Sequence, residues 1–344
     1  MHAVKCPVVS EFSRPDNMSA PRVKGEKPLL SLIITVFRGR AFLAETFSRV
    51  SATAKDIPMQ LEVIAVDDGS DDDSFAEIMR LQPQQPFPVR AVKLSKNYGP
   101  MASVQAGIAC ARGDCVAVLP QDLQDPPESI VDMLAAWREG EKVNMTYRIS
   151  RDEPPLKKAL AAIYHFMFRT MTGINYPAGG LGVFLIDRKI ADEIVAHPPR
   201  HTDILLHIFS MGYHPRLHPA PRLPPKAKTN WTFSKSMKLA IDNFIGFSYL
   251  PVRLMSLAGV MVSLASFCFA GYVFVGKLTG WYPINQPPGW ATIVVLLTFL
   301  SGMMMLMLGV IGEYLWRILD NVRGAPIYQV EETRDSSPPE NKTE

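Results

Sequence analysis

The sequence predicts an α/β domain built on a mostly parallel sheet, followed by a membrane hairpin of two helices. The first observation is a set of four short apolar runs, each ending in polar residues and separated from the next by a helical pattern. Such alternation is typical of βαβ units in a parallel sheet. The second observation is a pair of uncharged stretches at residues 254–276 and 289–312. Each reaches the roughly 20 residues that a helix needs to span a bilayer core.

The composition of the 344-residue chain argues against several classes of protein. A formal net charge of +3 without a dense basic block gives no reason to expect a nucleic acid partner. The four cysteines are scattered, with no CxxC spacing, which favours a reducing environment facing the cytosol. Residues 1–27 lack periodicity and the apolar core of a signal peptide, so we expect a disordered tail there.

The strands are expected at residues 29–36, 61–66, 89–94 and 115–119. Each is a short apolar run of the kind that a parallel sheet buries on both faces. No GxGxxG or GxxxxGK[ST] motif follows any of them, which argues against a dinucleotide-dependent dehydrogenase and a P-loop NTPase. Open α/β sheets bind ligands beyond the carboxyl ends of their strands, so the loops after these runs are the expected site.

An acidic run at residues 67–74 follows the second strand. Gly69 permits a sharp turn there, and the aspartates and serines can cap a helix. The five aspartates exceed what capping requires, and their like charges repel one another. We therefore interpret the run as a ligand site in preference to a cap.

A second acidic cluster, at residues 120–128, follows the fourth strand. Asp122, Gln124 and Asp125 offer the hard oxygen ligands that Mg²⁺ or Mn²⁺ prefers. Two prolines follow, as at the start of a helix. From these residues alone, a metal site and a solvated turn that caps the next helix are equally good interpretations.

The second half of the domain mixes further elements with basic loops. We expect a helix at 128–138, strands at 142–147 and 183–186, and amphipathic helices at 154–174 and 231–250 that pack on the domain or lie on the membrane. The proline-rich residues 215–230 are expected to form a long loop without regular structure. Its cationic side chains are candidates to clamp a phosphate group.

The hairpin is expected to span the bilayer at about residues 253–277 and 289–313, with aromatic residues in the connecting loop. Basic residues flank its outer ends, so the positive-inside rule places both termini and the domain at 28–230 in the cytoplasm. The protein is then a multi-pass protein of the inner membrane. Residues 319–344 are expected to form a cytosolic tail, disordered beyond Glu332. The glycine- and methionine-rich second span suggests a homo-oligomer.

Five stretches resemble the polyprenyl-phosphate glycosyltransferases of the inverting GT-A class, a group that includes dolichyl-phosphate mannose synthases and bacterial undecaprenyl-phosphate sugar transferases. They are VDDGS at 66–70, LSKNYG at 94–99, DLQDPPE at 122–128, LIDRK at 185–189 and IGEYL at 311–315. They follow the family's order over about residues 29–330. The two stretches most specific to this family are DLQDPPE and IGEYL, which lies at the end of the hairpin.

The resemblance implies a Rossmann-like GT-A domain that transfers a sugar from a UDP- or GDP-linked donor to a polyprenyl phosphate for the cell envelope or a glycoconjugate. It implies nucleotide-sugar contacts at Thr35, Phe37, Asp67, Asp68, Lys96 and Asn97. It implies Mg²⁺ or Mn²⁺ on Asp122 and Gln124, catalytic roles for Asp122, Arg148 and Arg151, and acceptor-phosphate contacts at Arg222, Lys226 and Lys228. Pro120 stands where the family often has the first acid of a DxD motif, and Phe37-Arg38 stands where Tyr-Asn is usual.

Two other functions remain open at this point. A GT-A enzyme with a hydroxyl acceptor would share VDDGS, but the QxxRW motif and the additional spans of such enzymes are absent from this sequence. A catalytically silent scaffold or flippase partner could have kept the fold. A phosphate acceptor is the simpler hypothesis, because a phosphate monoester with a second pKa near 6 is already largely ionised and needs little help from a general base.

Overall fold

The computed structural model describes residues 27–148, 181–200, 202–220, 250–280 and 289–336, together with Phe166 and Thr170. The strands in these ranges are β1 (Leu29–Val36), β2 (Gln60–Asp67), β3 (Val89–Leu94), β4 (Cys115–Pro120), β5 (Val143–Arg148), β6 (Leu181–Asp187), β7 (Arg216–Ala220) and β8 (Val330–Asp335). The helices are α1 (Arg40–Thr53), α2 (Ser74–Leu81), α3 (Pro100–Cys110), α4 (Ser129–Arg138), α5 (Arg188–Ala196), α6 (Ile204–Ser210), α7 (Leu250–Thr279) and α8 (Trp290–Arg323), with a 3₁₀ turn at Gln82–Gln84. The expected N-terminal tail and the amphipathic helices at 154–174 and 231–250 lie outside the described residues.

The strands form one mixed sheet in the order β7-β5-β6-β4-β1-β2-β3-β8. The central strands β4, β1, β2 and β3 are all parallel to one another. The pairs β4–β6, β5–β6 and β3–β8 are antiparallel, and β5–β7 is parallel. The predicted α/β fold with its mostly parallel centre is confirmed, and the first four strands lie within one residue of their predicted bounds.

Because of the directions of the strands, many of the connecting loops lie at one edge of the sheet. The four central strands end there, and so do β5 and β7, whereas β6 and β8 begin there because they run in the opposite sense. We call this the carboxyl edge. The topology therefore brings the residues after Val36, Asp67, Leu94 and Pro120 to the place where α/β sheets bind ligands.

Helices cover both faces of the sheet, which explains why the central strands are mostly apolar. On one face the core joins Leu32 and Ala117 to Phe47 of α1 and Met133 of α4. On the other face it joins residues such as Val66 to α3, α5 and α6. Ser31, a polar residue buried in β1, is hydrogen-bonded to Glu62 and to the Gly113 backbone.

The prediction of a C-terminal tail at 319–344 is wrong for residues 330–335. These residues form β8, which pairs with β3 and closes that side of the sheet. The strand carries few apolar residues. Backbone pairing with β3 and the ion pair of Asp335 with the nearly buried Arg90, at 2.5 Å, hold it in place. Tyr328, which is 3% exposed, anchors the segment in the core. The loop expected at 215–230 likewise begins with a strand, β7, because the free edge of β5 supplies its backbone partners.

The chain divides into two compact units, with boundaries at Ser236 and Gly324. Residues after Gly324 return to the unit that contains the sheet, so the predicted domain at 28–230 lacks its last strand. The unit from Met237 to Gly324 contains α7 and α8, which contact each other.

The two-span hairpin is not confirmed by the described residues. Among them, one segment, Phe299–Arg323, is long and apolar enough to cross a membrane by length and composition. Its apolar side chains are exposed, for example Met305 at 70% and Val322 at 78%. In α7, the described residues include a shorter apolar segment, Met255–Phe269.

Candidate active site

Asp67, the last residue of β2, has a buried carboxylate at the carboxyl edge. The side chain is fully buried, and Oδ1 accepts hydrogen bonds from the hydroxyl and the backbone N–H of Ser70. Oδ2 has no hydrogen-bond partner among the described residues. Burial raises the pKa of Asp67, and the Ser70 bonds oppose that rise. A buried carboxylate oxygen without a partner is unfavourable, so a ligand N–H placed here would gain a strong bond.

Asp68 has both of its oxygens occupied by the protein. The side chain is 3% exposed; Oδ1 accepts the Tyr98 N–H at 2.8 Å and Oδ2 accepts the Gly99 N–H at 2.9 Å. Burial raises the pKa of this carboxyl as well, despite these bonds. We interpret Asp68 as the residue that positions the loop after β3, and its predicted nucleotide contact stays a prediction.

Gly69 lets the loops after β2 and β3 touch. Its φ is +63°, in the left-handed region, and a Cβ atom there would lie 2.4 Å from the carbonyl carbon of Lys96. Lys96 and Asn97 are exposed at this contact, and Lys96 Nζ lies 5.0 Å from the centroid of the Tyr98 ring. The predicted nucleotide residues of these two loops are therefore brought together.

The remaining acidic run, residues 70–74, holds the start of α1. The backbone N–H groups of Arg38, Gly39 and Arg40 donate respectively to Ser70 Oγ, Ser74 Oγ and Asp72 Oδ2, at 2.9, 2.9 and 3.3 Å. The Arg38 guanidinium also pairs with both oxygens of Asp71 at 2.8 Å and lowers the pKa of that carboxyl. Asp72 thus caps a helix from another part of the chain, and Asp71 pairs with the arginine just before that helix. The ligand site predicted for the run stays a prediction.

Asp122 lies directly beyond β4 and is partly exposed. Its Oδ1 accepts the Gln124 backbone N–H at 3.2 Å, and its Oδ2 accepts Gln124 Nε2 at 2.7 Å. Leu123 between them has φ +51° and is 1% exposed, so it anchors the turn in the core. The two predicted metal ligands are therefore adjacent and mutually oriented.

This donor set fits Mg²⁺ or Mn²⁺ held together with a substrate. Mg²⁺ is usually bound through one or two carboxylates plus substrate phosphates. The described residues contain no group of three or more His, Cys, Asp or Glu that could hold a metal alone. Asp122 with Gln124 would need phosphate oxygens to complete the coordination. Asp125, the third ligand considered, is instead 2% exposed and packs on Gly182, where a Cβ would lie 2.5 Å from its Oδ1.

Gln121 joins the acidic loop after β4 to the loop after β1. Its Oε1 accepts the Phe37 N–H at 3.1 Å, and its Nε2 donates to the Phe37 carbonyl at 2.7 Å. Its own N–H donates to the Thr35 carbonyl at 3.3 Å. Thr35 in β1 and Phe37 just after it, two predicted nucleotide contacts, thus lie beside the predicted metal loop. The sequence analysis missed Gln121, because a lone glutamine carries no motif and its partner lies 84 residues away.

The predicted phosphate-binding residues are placed only in part. Arg148 is the last residue of β5, so its backbone lies at the carboxyl edge, paired with Ala220 of β7. Arg151 and the set Arg222, Lys226 and Lys228 lie outside the described residues, although the chain leaves β5 and β7 toward them at this edge. Their roles stay predictions.

Comparison with known proteins shows the family to which the chain belongs. The model of glycosyl transferase family 2 matches residues 31–195, which include β1 to β4 and their loops. An uncharacterized glycosyltransferase of Synechocystis sp. is 31% identical over 304 residues, covering 88% of this chain and 94% of the relative. The uncharacterized glycosyltransferase YkcC of Bacillus subtilis is 30% identical and is covered to 93%. The chain belongs to glycosyltransferase family 2.

The resemblance to polyprenyl-phosphate transferases is also confirmed. The glycosyltransferase is 29% identical over 317 residues to an undecaprenyl-phosphate 4-deoxy-4-formamido-L-arabinose transferase of Pseudomonas savastanoi pv. phaseolicola, covering 90% of this chain and 91% of that one. Among solved structures, a mannosyltransferase from Pyrobaculum calidifontis in complex with GDP-Man and Mn²⁺ is a remote likeness, with 14% identity, a TM-score of 0.46, and coverage of 85% and 88%.

Proposed function

We propose that this glycosyltransferase moves a sugar from a nucleoside diphosphate sugar to an undecaprenyl-type polyprenyl phosphate, with inversion at the anomeric carbon. The observation that carries the proposal is the geometry around β1. The buried Asp67 oxygen without a described partner lies on one side, at the end of β2, and the partly exposed Asp122 lies on the other, after β4. The relative that acts on undecaprenyl phosphate supports the acceptor class.

On the donor side, Asp67 Oδ2 would accept an N–H of the nucleobase. Thr35 at the end of β1 and Phe37 after it would line the nucleoside on one side. Lys96 and Asn97, in the loop after β3, would line it on the other. Lys96 is exposed at this edge, so its positive charge is accessible to a diphosphate. These assignments rest on the convergence of the loops.

Asp122 and Gln124 would hold Mg²⁺ or Mn²⁺ against the donor diphosphate. When bound, the ion supplies Lewis-acid stabilisation of the leaving diphosphate. The hydrogen bonds from Gln124 fix the orientation of the Asp122 carboxylate before substrate arrives. Pre-oriented charge of this kind acts without reorganisation during the reaction.

On the acceptor side, a lipid phosphate would attack the anomeric carbon in line with the departing diphosphate. The acceptor oxygen is already largely ionised at neutral pH, since its second pKa is about 6. The acceptor phosphate has to be neutralised and held in position. We assign this role to Arg148 and Arg151, with Arg222, Lys226 and Lys228 from the loop after β7. The direction in which the chain leaves β5 and β7 supports this assignment.

We further propose that α7 and α8 form a two-span hairpin that keeps the sheet domain on the cytoplasmic side of the inner membrane. Exposed apolar side chains along both helices support it, for example Phe267 at 77% and Leu297 at 63%. Such surfaces on a monomer mark a membrane or protein interface.

A transfer assay tests the proposal. Purified protein in vesicles would receive radiolabelled UDP- and GDP-sugars in turn, with undecaprenyl phosphate or undecaprenol as matched acceptors. We expect label in the lipid phase from at least one donor, only with the phosphate. Labelling of undecaprenol would show a hydroxyl acceptor. Tight nucleotide binding without transfer from any donor would favour a silent scaffold.

A further inference from the structure

One side chain satisfies the whole backbone of Phe37. The Gln121 amide both accepts the Phe37 N–H, at 3.1 Å, and donates to the Phe37 carbonyl, at 2.7 Å. The peptide carbonyl of Gln121 accepts the hydroxyl of Thr46 in α1, at 2.8 Å. Gln121 is therefore tied on both its main chain and its side chain to the segment that contains Phe37.

The Gln121 amide binds the backbone of Phe37, which the acidic run at residues 70–74 does not contact. The run fixes the N–H groups of residues 38–40, immediately after Phe37. Phe37 itself is half-buried, with its ring 5.3 Å from the guanidinium carbon of Arg38. Among the described contacts, its backbone bonds are those to Gln121. The next residue after Gln121 is Asp122, so one amide connects the nucleoside loop to the metal loop.

Gly39 makes room for this amide. A Cβ atom at Gly39 would lie 1.8 Å from Gln121 Oε1. The φ of Gly39 is −110°, which alanine adopts without strain. A substitution to alanine there would act by displacing the Gln121 side chain, because the backbone itself tolerates it.

We infer that Gln121 is a positioning residue for the donor: its amide holds Phe37 in the place where the nucleoside binds and couples that loop to Asp122. The inference rests on the proposed function, since it takes Phe37 as a nucleoside contact. Without the amide, donor binding must order the loop, and affinity falls accordingly.

The test compares Gln121→Ala, Gln121→Glu and Gly39→Ala with Gln85→Ala. Gln85 is the matched control, because its half-buried amide also bonds on both atoms, to Ser51 Oγ and to the Leu81 carbonyl, within the α1–α2 side of the domain. The measurements are Kd for UDP and for GDP with Mg²⁺ by calorimetry, and KM for donor and for undecaprenyl phosphate in the transfer assay.

We expect Gln121→Ala and Gly39→Ala to raise the nucleotide Kd and the donor KM about tenfold, the value of one or two neutral hydrogen bonds. The acceptor KM and the control should stay within twofold. Gln121→Glu should lose at least as much, because a carboxylate repels the Phe37 carbonyl. An unchanged donor KM, an equal rise in the acceptor KM, or the same effect from Gln85→Ala would overturn the inference. If wild type transfers no sugar but nucleotide Kd still depends on Gln121, the proposed acceptor fails and the positioning role stands.

Discussion

Asp67 and Asp68 are adjacent in sequence and both buried. We expect substitution by asparagine to lower the stability at Asp68 and the nucleotide affinity at Asp67. Asp68→Asn keeps one acceptor oxygen and turns an NH₂ group toward a backbone N–H that had a partner at 2.8 or 2.9 Å. Hydrogen bonds to a charged group contribute about 1.5–3 kcal/mol each, and relief of carboxylate burial offsets part of the loss, which leaves about 2 kcal/mol of destabilisation. For a domain of this size that lowers Tm by about 4–8 °C.

Asp67→Asn keeps an oxygen for Ser70 and removes a buried charge whose second oxygen has no described partner. We expect its stability to change by less than about 1 kcal/mol, since little pairing is lost. Its nucleotide Kd should nevertheless rise at least tenfold, because the ligand N–H loses a charged acceptor.

The assay for both variants is thermal unfolding in detergent, followed by calorimetric titration of UDP and GDP with Mg²⁺. Asp132→Asn serves as the control, because that aspartate is exposed on α4. The reasoning is refuted if Asp68→Asn unfolds at the wild-type temperature, or if Asp67→Asn loses stability while keeping its nucleotide affinity.

Two further outcomes follow from the same contacts. Because burial raises the pKa of Asp67, the nucleotide affinity of the wild type should fall as the pH is lowered from neutral toward that raised pKa. Asp67→Asn corrects for titration of the nucleotide phosphates, and the difference in affinity between wild type and this variant should shrink over the same range. Calorimetry at several pH values checks this, and parallel affinity curves for the two proteins would contradict it. Asp335→Ala should lower the free energy of unfolding by about 1–3 kcal/mol, because the buried Arg90 loses its carboxylate partner and keeps only the Cys110 carbonyl. Glu332→Ala, whose partner Arg334 is exposed, should change that free energy by less than about 0.5 kcal/mol. Equal effects of the two substitutions in a denaturant titration would contradict the account of β8.

The sequence predicts the centre of the sheet well, because the composition of each central strand is enough to indicate a buried strand. The runs from β1 to β4 are mostly apolar, so burial fixes each strand and the polar residues after it fall at the carboxyl edge. Asp122 with Gln124 and the loops of Phe37 and Lys96 could be grouped on that basis alone.

What the sequence does not predict depends on long-range partners. β8 reads VEETRD, a polar run whose strand character comes from the free edge of β3. The division of labour between Asp67 and Asp68 depends on which carboxylate meets the backbone of the loop after β3. The role of residues 70–74 depends on α1, more than 30 residues earlier in the chain. No local pattern contains this information.

The central claim is that the protein transfers a sugar to a lipid phosphate from a site built around Asp122. The most direct measurement is the rate at which radiolabelled sugar enters undecaprenyl phosphate, for wild type and Asp122→Ala, in EDTA and after Mg²⁺ or Mn²⁺ is restored. We predict that wild type loses transfer in EDTA and regains it with metal, and that Asp122→Ala stays at least a hundredfold slower, in line with the roughly 2.7 kcal/mol or more that one charge-stabilising group contributes to catalysis. Full-rate transfer in EDTA, or wild-type turnover by Asp122→Ala, would contradict the claim.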